Sequence, residues 1–176
     1  MNIAQIKHLD IANGPGVRVS VFVSGCTRMC KGCFNAVAWD FDYGYQYTSA
    51  VEADIMTKLS HPDVRGLSIL GGEPFEPKNQ PGVKTLVNAA ATLFPEKDIW
   101  MFTGYTLEEL LHSGVETPYI TDILKHVAVL VDGPFILEKK NLMLKYRGSE
   151  NQRLIDVPKT LEAGKVIFWK DKYDRL

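Results

Sequence analysis

Long hydrophobic runs, an excess of charge of either sign and a secretory leader pattern are all missing from this sequence. No apolar stretch approaches the length of a membrane span, and residues 1–10 lack the basic-then-apolar order of a signal peptide. Lys and Arg number 20 against 21 Asp and Glu, which leaves a net charge of −1 and no basic field for nucleic acid. We therefore expect a cytoplasmic protein with neither a membrane nor a nucleic acid as partner.

Internal repeats and low-complexity segments are also absent. The composition, with 45% hydrophobic and 23% charged residues, is that of an ordinary globular protein. A chain of 176 residues is long enough to bury a single sizeable core. The sequence therefore predicts one main folded domain.

Cysteine is scarce, and its three copies are clustered at Cys26, Cys30 and Cys33. Three thiolates are one too few for a closed zinc site, and the four histidines are scattered along the chain. A disulfide would leave one thiol over. An iron-sulfur cube takes one ligand on each iron, so three thiolates would leave one iron free to bind something else. The spacing favours an open cluster, and a zinc-stabilised interaction module is the alternative.

Apolar runs rich in Val and Ile alternate with helical patterns, which is typical of a parallel sheet with crossover helices. Strands are predicted at Val17–Val23, 66–70, Asp98–Phe102 and 127–131, with a possible last edge strand at 166–169. Helices are predicted at Ser49–Leu59, 83–93, 107–111 and 120–124, the third with Thr106 and Glu109 in a capping box. Four strands run into a polar or glycine-rich loop, so we expect these loops to converge on one site.

The loop after the second predicted strand reads Gly71, Gly72, Glu73, Pro74. Taken alone, it is most simply a tight turn. Combined with the C-x3-C-x2-C spacing, it resembles the radical S-adenosylmethionine (SAM) enzymes. That resemblance implies one 4Fe-4S cluster per chain, held by the three cysteines, with SAM chelating the free iron.

Further motifs narrow the resemblance. The chain is similar to the activating proteins of anaerobic ribonucleoside-triphosphate reductases over about residues 1–152. The motifs that carry this similarity are residues 10–18, the cysteine run through Asn35 and Trp39, residues 97–100 with 103–105, Val131-Asp132-Gly133, and residues 147–149 with 151–152. The resemblance implies a radical SAM oxidoreductase that abstracts a hydrogen atom from a glycine Cα of the large reductase subunit and leaves a glycyl radical. It also implies a flavodoxin-like or ferredoxin-like electron donor.

The same resemblance assigns residues to SAM. Gly32 and Phe34, which flank the cofactor-binding Cys33, would line the adenine side, and Gly71, Gly72 and Glu73 the methionine side. Thr103 and Asp132 could reach the ribose, the surroundings of the methionine carboxylate or a bound cation. No catalytic residue is expected beyond the cluster and SAM, since the cofactor carries the chemistry.

Several of these residues also have plain structural explanations. Glu73 could be a solvent-facing carboxylate that caps its turn, and Asp132-Gly133 could be an ordinary turn. Arg18 could be a surface charge or an ion-pair partner. Gly32 stands where radical SAM enzymes often carry an aromatic residue, and Glu73 stands where the activating proteins often carry Asp.

The implied fold is α/β, a partial, laterally open (β/α) barrel of the radical SAM type with a mostly parallel sheet. We expect residues 1–153 to form the radical SAM domain and residues 154–176 a C-terminal extension of unknown role. Two other activities stay open: activation of another glycyl-radical enzyme such as pyruvate formate-lyase, and a radical reaction on a small molecule.

Overall fold

The computed structural model describes residues 1–113 and 119–171, and in them seven β-strands and five α-helices. The strands are β1 (Asn2–Asp10), β2 (Val17–Val23), β3 (Tyr45–Gln46), β4 (Val64–Gly71), β5 (Asp98–Phe102), β6 (Val129–Asp132) and β7 (Arg153–Asp156). The α-helices are α1 (Ser49–Leu59), α2 (Gln80–Leu93), α3 (Leu107–Ser113), α4 (Tyr119–Leu124) and α5 (Val157–Ala163). Short 3₁₀ helices cover Ala36–Trp39 and Leu137–Lys139.

All seven strands belong to one mixed sheet with the order β3-β1-β2-β4-β5-β6-β7. The four central strands β2, β4, β5 and β6 are parallel, while β1, β3 and β7 are antiparallel to their neighbours. The carboxyl ends of the four central strands therefore lie at the same edge of the sheet. The loops that follow those strands are brought together there, as the sequence predicts.

The helices cover one face of this sheet. Paired positions across the central strands form a row of buried apolar side chains, namely Val21, Ile69, Met101 and Leu130. This row belongs to the main hydrophobic core together with buried residues of α1, α2, α3 and α4. Burying each such side chain contributes about 1.5–3 kcal/mol, so this face holds the fold together.

The opposite face carries a different set of side chains. Because side chains alternate along a strand, Ser20, Ser68 and Trp100 point away from the helices, and all three are buried. Trp100 packs edge-to-face against Tyr146 and Trp169, with ring centroids 5.3 Å and 4.9 Å apart. This face is covered by loops, and the functional cavity lies on it.

Local sequence signals explain where the helices start. Thr48 caps α1, its side chain accepting a hydrogen bond from the Val51 N–H at 3.4 Å. At α3 the capping box is confirmed: the Thr106 N–H donates to the Glu109 carboxylate at 2.6 Å, and the Glu109 N–H donates to the Thr106 hydroxyl at 3.2 Å. No helix in residues 1–113 and 119–171 is long and apolar enough to cross a membrane.

The α/β class, four predicted strands and four predicted helices are confirmed, with boundaries shifted by a few residues. The prediction that Val17–Val23 is the first strand is wrong, because β1 precedes it. In β1 only Ile3 is fully buried, and polar residues such as Gln5 and Lys7 interrupt any apolar run. The predicted strand at 166–169 forms only an isolated bridge between Ile155 and Phe168.

The segment after Gln152 is also more ordered than the sequence indicates. Strand β7 pairs with β6, and Ile155 and Val157 are fully buried in the main core. The first part of the expected extension 154–176 therefore lies in the sheet and in α5. Residues 172–176 of that extension are outside the described residues.

Candidate cofactor site

A cavity of about 510 Å³ opens at the carboxyl ends of the central strands, on the face that the helices leave uncovered. All three cysteines line it. Its other walls come from the glycine turn after β4, the loop after β5, and the long loop that connects β6 to β7. Apolar side chains contribute much of the lining, including Trp39, Leu70, Phe102 and Phe135. The cavity thus joins the predicted motifs in one place.

The cysteine loop follows β2 and is closed by its own backbone. The Gly25 N–H donates to the Ala38 carbonyl at 2.8 Å, and the Cys26 N–H donates to the Trp39 carbonyl at 3.1 Å. All three thiols are free and partly buried. Burial raises the pKa of the Cys26 thiol, while hydrogen bonds from nearby backbone N–H groups act in the opposite direction. The loop presents three separate thiols to the cavity.

The arrangement of these thiols can be compared with what a zinc ion and an iron-sulfur cluster each require. In residues 1–113 and 119–171, no three Cys, His, Asp or Glu side chains are grouped as ligands of one metal ion. A structural zinc site requires four ligands on one ion. In a four-iron cube each thiolate binds a different iron, so its ligands need not converge on a point. Three clustered thiols are a donor set of the kind that such a cluster takes.

The glycine turn after β4 packs directly against the start of the cysteine loop. The Gly72 N–H donates to the Val23 carbonyl at 2.6 Å, and the Glu73 N–H donates to the Gly25 carbonyl at 2.8 Å. A Cβ atom on Gly72 would lie 2.4 Å from the Gly25 carbonyl oxygen, closer than real contacts allow. Glycine is therefore needed there for two loops to approach each other.

Glu73 is 1% exposed, so the alternative of a solvent-facing carboxylate is wrong. Its carboxylate accepts hydrogen bonds from the Phe75 N–H at 3.0 Å, the Thr103 hydroxyl at 2.8 Å and the Gly104 N–H at 2.7 Å. Burial raises the pKa of Glu73 to about 7, although these hydrogen bonds act to lower it. Glu73 thereby links the glycine turn to the loop after β5.

Thr103 and Gly104 line the cavity on the side of β5. Opposite Gly104 lies Arg28 of the cysteine loop, whose guanidinium stands 4.5 Å from the centre of the Tyr105 ring. A Cβ atom on Gly104 would lie 2.5 Å from the Arg28 Cδ atom. The cysteine loop and the β5 loop are therefore in contact as well.

Asp132 does not line the cavity, although the neighbouring Gly133 does. Its carboxylate is fully buried and accepts from the Arg153 guanidinium at 2.9 and 2.5 Å and from the Leu107 N–H at 2.8 Å. Asp132 and Glu108 raise the pKa of Arg153 above its ordinary value. In the structure Asp132 is thus more than a plain turn residue, because it joins β6, β7 and the start of α3.

Gly32 and Phe34 both line the cavity at its outer rim. Gly32 has a positive φ of 75°, and a Cβ atom there would lie 2.9 Å from the Leu137 side chain. Phe34 is 84% exposed, an unusual fraction for a large aromatic side chain. The predicted adenine side is thus an open part of the cavity.

Arg18 was predicted as a surface charge or an ion-pair partner, and the structure confirms only the second. It is fully buried, and its guanidinium lies 2.6 Å from the Asp98 carboxylate. It also donates to the Ser68 hydroxyl at 2.7 Å and to the Leu67 carbonyl at 2.9 Å. The loop 13–16 covers it, and the Ser68 hydroxyl donates to the Asn13 carbonyl.

Two residues that organise the site are not indicated by any motif in the sequence. The Asn79 side-chain amide donates to the carbonyls of Ser24 and Glu73, both at 2.9 Å. The Glu76 carboxylate accepts from the Thr27 N–H at 2.7 Å and from the Thr27 hydroxyl at 2.6 Å. Both brace the cysteine loop against the segment after the glycine turn. Their position within eight residues of Gly71 is the one signal that could have suggested them.

Comparison with known proteins agrees with this geometry. Residues 12–155 match the family model described as a 4Fe-4S single cluster domain. The chain is 44% identical to the anaerobic ribonucleoside-triphosphate reductase-activating protein of Vibrio cholerae, over 86% of this chain and 96% of the relative. Proteins of the same name from Escherichia coli and Haemophilus influenzae are 40% and 39% identical, each with the same two coverages. The similarity thus extends over nearly the full length of these relatives.

Proposed function

Because the chain belongs to the family of anaerobic ribonucleoside-triphosphate reductase-activating proteins, we propose that it activates such a reductase by forming a glycyl radical in its large subunit. The observation that carries this proposal is the cavity, in which three free thiols on one loop lie beside a glycine turn that also lines it. A catalyst of this kind needs a cofactor pocket that is also open to a protein substrate.

In this proposal Cys26, Cys30 and Cys33 would hold one 4Fe-4S cluster, with SAM as the second cofactor. The chemistry supplied would be one-electron reduction of SAM, which breaks its S–C5' bond to give methionine and a 5'-deoxyadenosyl radical able to abstract a hydrogen atom from a glycine Cα. The electron comes from a flavodoxin-like or ferredoxin-like donor, and the protein works in the cytoplasm. The class of the catalyst is then a radical SAM oxidoreductase.

The protein's own groups bind and orient the cofactor. Backbone carbonyls of Gly71 and Gly72 are suited to accept hydrogen bonds from the methionine ammonium, because no side chain stands between them and the cavity. Glu73 holds the β5 loop in place through Thr103 and Gly104, which line the methionine side. The apolar walls keep water and competing hydrogen donors away from the reacting carbon.

The remaining assignments follow from position. Gly32 and Phe34 lie at the open rim and would contact the adenine. Asp132 supports the site indirectly, because its hydrogen bonds to Arg153 and to the start of α3 hold together the elements around the cavity. Its predicted contact with the ribose or a cation would require that carboxylate to leave its present partners.

The mixed sheet suits a partial, laterally open (β/α) barrel of the radical SAM type. The four parallel strands with helices on one face would form the barrel wall, and the uncovered face its interior. The proposed radical SAM domain at residues 1–153 depends on the segment that follows it, because β7 continues to Asp156 and Ile155 and Val157 lie in the main core. The extension 154–176 would then complete the sheet edge through β7.

The test is anaerobic reconstitution with iron and sulfide, followed by addition of SAM, a reductant and the large reductase subunit. We expect acid-labile sulfide bound to the protein, and a glycyl radical signal in electron paramagnetic resonance. Replacing any one cysteine, as in Cys30→Ser, should abolish the radical. Zinc without sulfide, or a radical formed on pyruvate formate-lyase but not on the reductase, would contradict the proposal.

A further inference from the structure

The loop between β6 and β7 carries, near its middle, two adjacent apolar side chains that project into solvent. Leu142 is 87% exposed and Met143 is 89% exposed, more than any other large apolar side chain in the described part of the chain. Single exposed apolar side chains are common on protein surfaces, whereas two adjacent ones on the same loop call for an explanation. We call residues 142–143 the apolar tip.

Hydrogen bonds that involve Asn141 hold the backbone next to the apolar tip in place. The Asn141 N–H donates to the Gly148 carbonyl at 3.2 Å, and the Met143 N–H donates to the Asn141 side-chain oxygen at 2.9 Å. The Asn141 side chain in turn donates to the Glu150 carboxylate at 3.0 Å. A tip fixed in this way loses little conformational entropy when a partner binds it.

The position of the apolar tip relates it to the cofactor cavity. Leu142 lies on the cavity lining together with its neighbours Lys140 and Asn141. From the cysteine loop, Phe34 also lines the cavity and is exposed. The rim of the cavity therefore carries exposed apolar side chains from two different loops. Whatever inserts a backbone glycine into the cavity has to pass them.

Charge around the rim indicates the chemistry of the partner. Three exposed lysines lie in or next to the cavity lining: Lys140 lines the cavity, Lys139 precedes it in the chain, and Lys31 precedes the lining residue Gly32. The acidic residues of the same loop are Glu138 and Glu150, and Glu150 already accepts a hydrogen bond from Asn141. A complementary surface would present apolar side chains flanked by acidic ones.

We propose that the apolar tip is a docking site for the large reductase subunit, on the surface that surrounds its glycine loop. This inference rests on the proposed function, since it assumes that a protein segment enters the cavity. Leu142 and Met143 insert between apolar side chains of that surface, and the lysines at the rim face its acidic residues. The tip contributes to recognition of the reductase and takes no part in SAM cleavage.

The test uses the reconstituted holoenzyme carrying Met143→Ser, which alters the tip residue that does not line the cofactor cavity. The matched control carries Leu93→Ser, which alters an exposed apolar side chain, 59% exposed, on α2. Three quantities are compared with the unaltered protein: SAM cleavage with dithionite and no reductase, glycyl radical yield at limiting enzyme, and affinity for the large subunit by titration.

We expect the tip variant to lose at least tenfold in affinity and in radical yield while SAM cleavage stays unchanged, and the control to lose neither. Equal loss of SAM cleavage and radical yield would overturn the inference, as would unchanged affinity. Loss of a dimer of this chain, seen by ultracentrifugation, with unchanged reductase binding would assign the tip to self-association instead. If the unaltered protein forms no radical on the reductase, the proposed function fails, whereas the titration still reports on the tip.

Discussion

The buried carboxylate of Glu73 combines two opposing influences on a single side chain. Burial favours its protonated form, whereas three hydrogen bonds donated to it favour the ionised form. The balance raises its pKa to about 7. A residue of this kind makes the stability of the loop network depend on pH.

We predict that the free energy of unfolding of the cluster-free, reduced protein falls as pH rises from 5 to 7. In this window the folded protein keeps a proton on Glu73 that the unfolded chain, with an ordinary pKa of 4.5, has largely released. The loss should amount to about 2 kcal/mol, since each unit of pKa difference corresponds to about 1.4 kcal/mol. Urea denaturation at several pH values measures it.

Glu73→Gln should remove most of this slope, because a glutamine amide does not titrate. Glu96→Gln alters an exposed carboxylate and should leave the slope unchanged. A wild-type slope of the opposite sign, or one that Glu73→Gln does not alter, would contradict the prediction.

At the scale of secondary-structure elements, Arg18 links three neighbouring strands. It lies on β2, donates to the Leu67 carbonyl of β4 and forms an ion pair with Asp98 of β5. Arg65 approaches the same Asp98 carboxylate at 3.4 Å, but its side chain is 44% exposed. Two arginines therefore share one carboxylate in very different surroundings.

We predict that Arg18→Met lowers the free energy of unfolding by about 3–5 kcal/mol, because it leaves buried polar partners without their donor. Arg65→Met should cost about 1 kcal/mol or less, since an exposed pair is screened by water. Denaturation of the two variants side by side decides the matter. An equal loss of unfolding free energy in the two variants would contradict the prediction, because it would mean that burial does not strengthen the contribution of Arg18.

The elements that the sequence predicted correctly share a physical feature. Strands β2, β4, β5 and β6 lie in the middle of the sheet, so most of their residues are buried and their sequences are rich in apolar residues. Strands β1, β3 and β7 lie outside them, and partial exposure dilutes their patterns with polar residues. Short-range sequence patterns therefore predicted the central strands of the sheet and did not predict the outer ones.

The candidate site divides in the same way. The cysteines and the glycine turn were recognisable because each is a short run with its own chemistry. Contacts such as Asn79 with Ser24, or Asp132 with Arg153, join residues 55 and 21 positions apart. Pairings of this kind depend on tertiary structure, and a single sequence does not contain them as a local pattern.

For the whole molecule, the segment after Gln152 completes the fold. Arg153 is the partner of the buried Asp132, and Ile155 and Val157 fill the main core. A chain that ends at Gln152 would leave a buried carboxylate unpaired and the β6 edge exposed.

We therefore predict that a chain ending at Gln152 shows no cooperative thermal unfolding by circular dichroism. Arg153→Met in the full chain keeps the strand and removes only the ion pair, so it should unfold cooperatively with a stability lower by about 3 kcal/mol. A truncated chain as stable as the full one would mean that the C-terminal segment is an appendage.

The closed cysteine loop has a consequence for upkeep in the cell. Hydrogen bonds from Gly25 to Ala38 and from Cys26 to Trp39 close the loop through its own backbone, and all three cysteines lie within eight residues of chain. An iron-sulfur centre with an open iron is readily destroyed by oxygen. We therefore expect a molecule that has been damaged in this way to regain a cluster from fresh iron and sulfide without refolding of the loop.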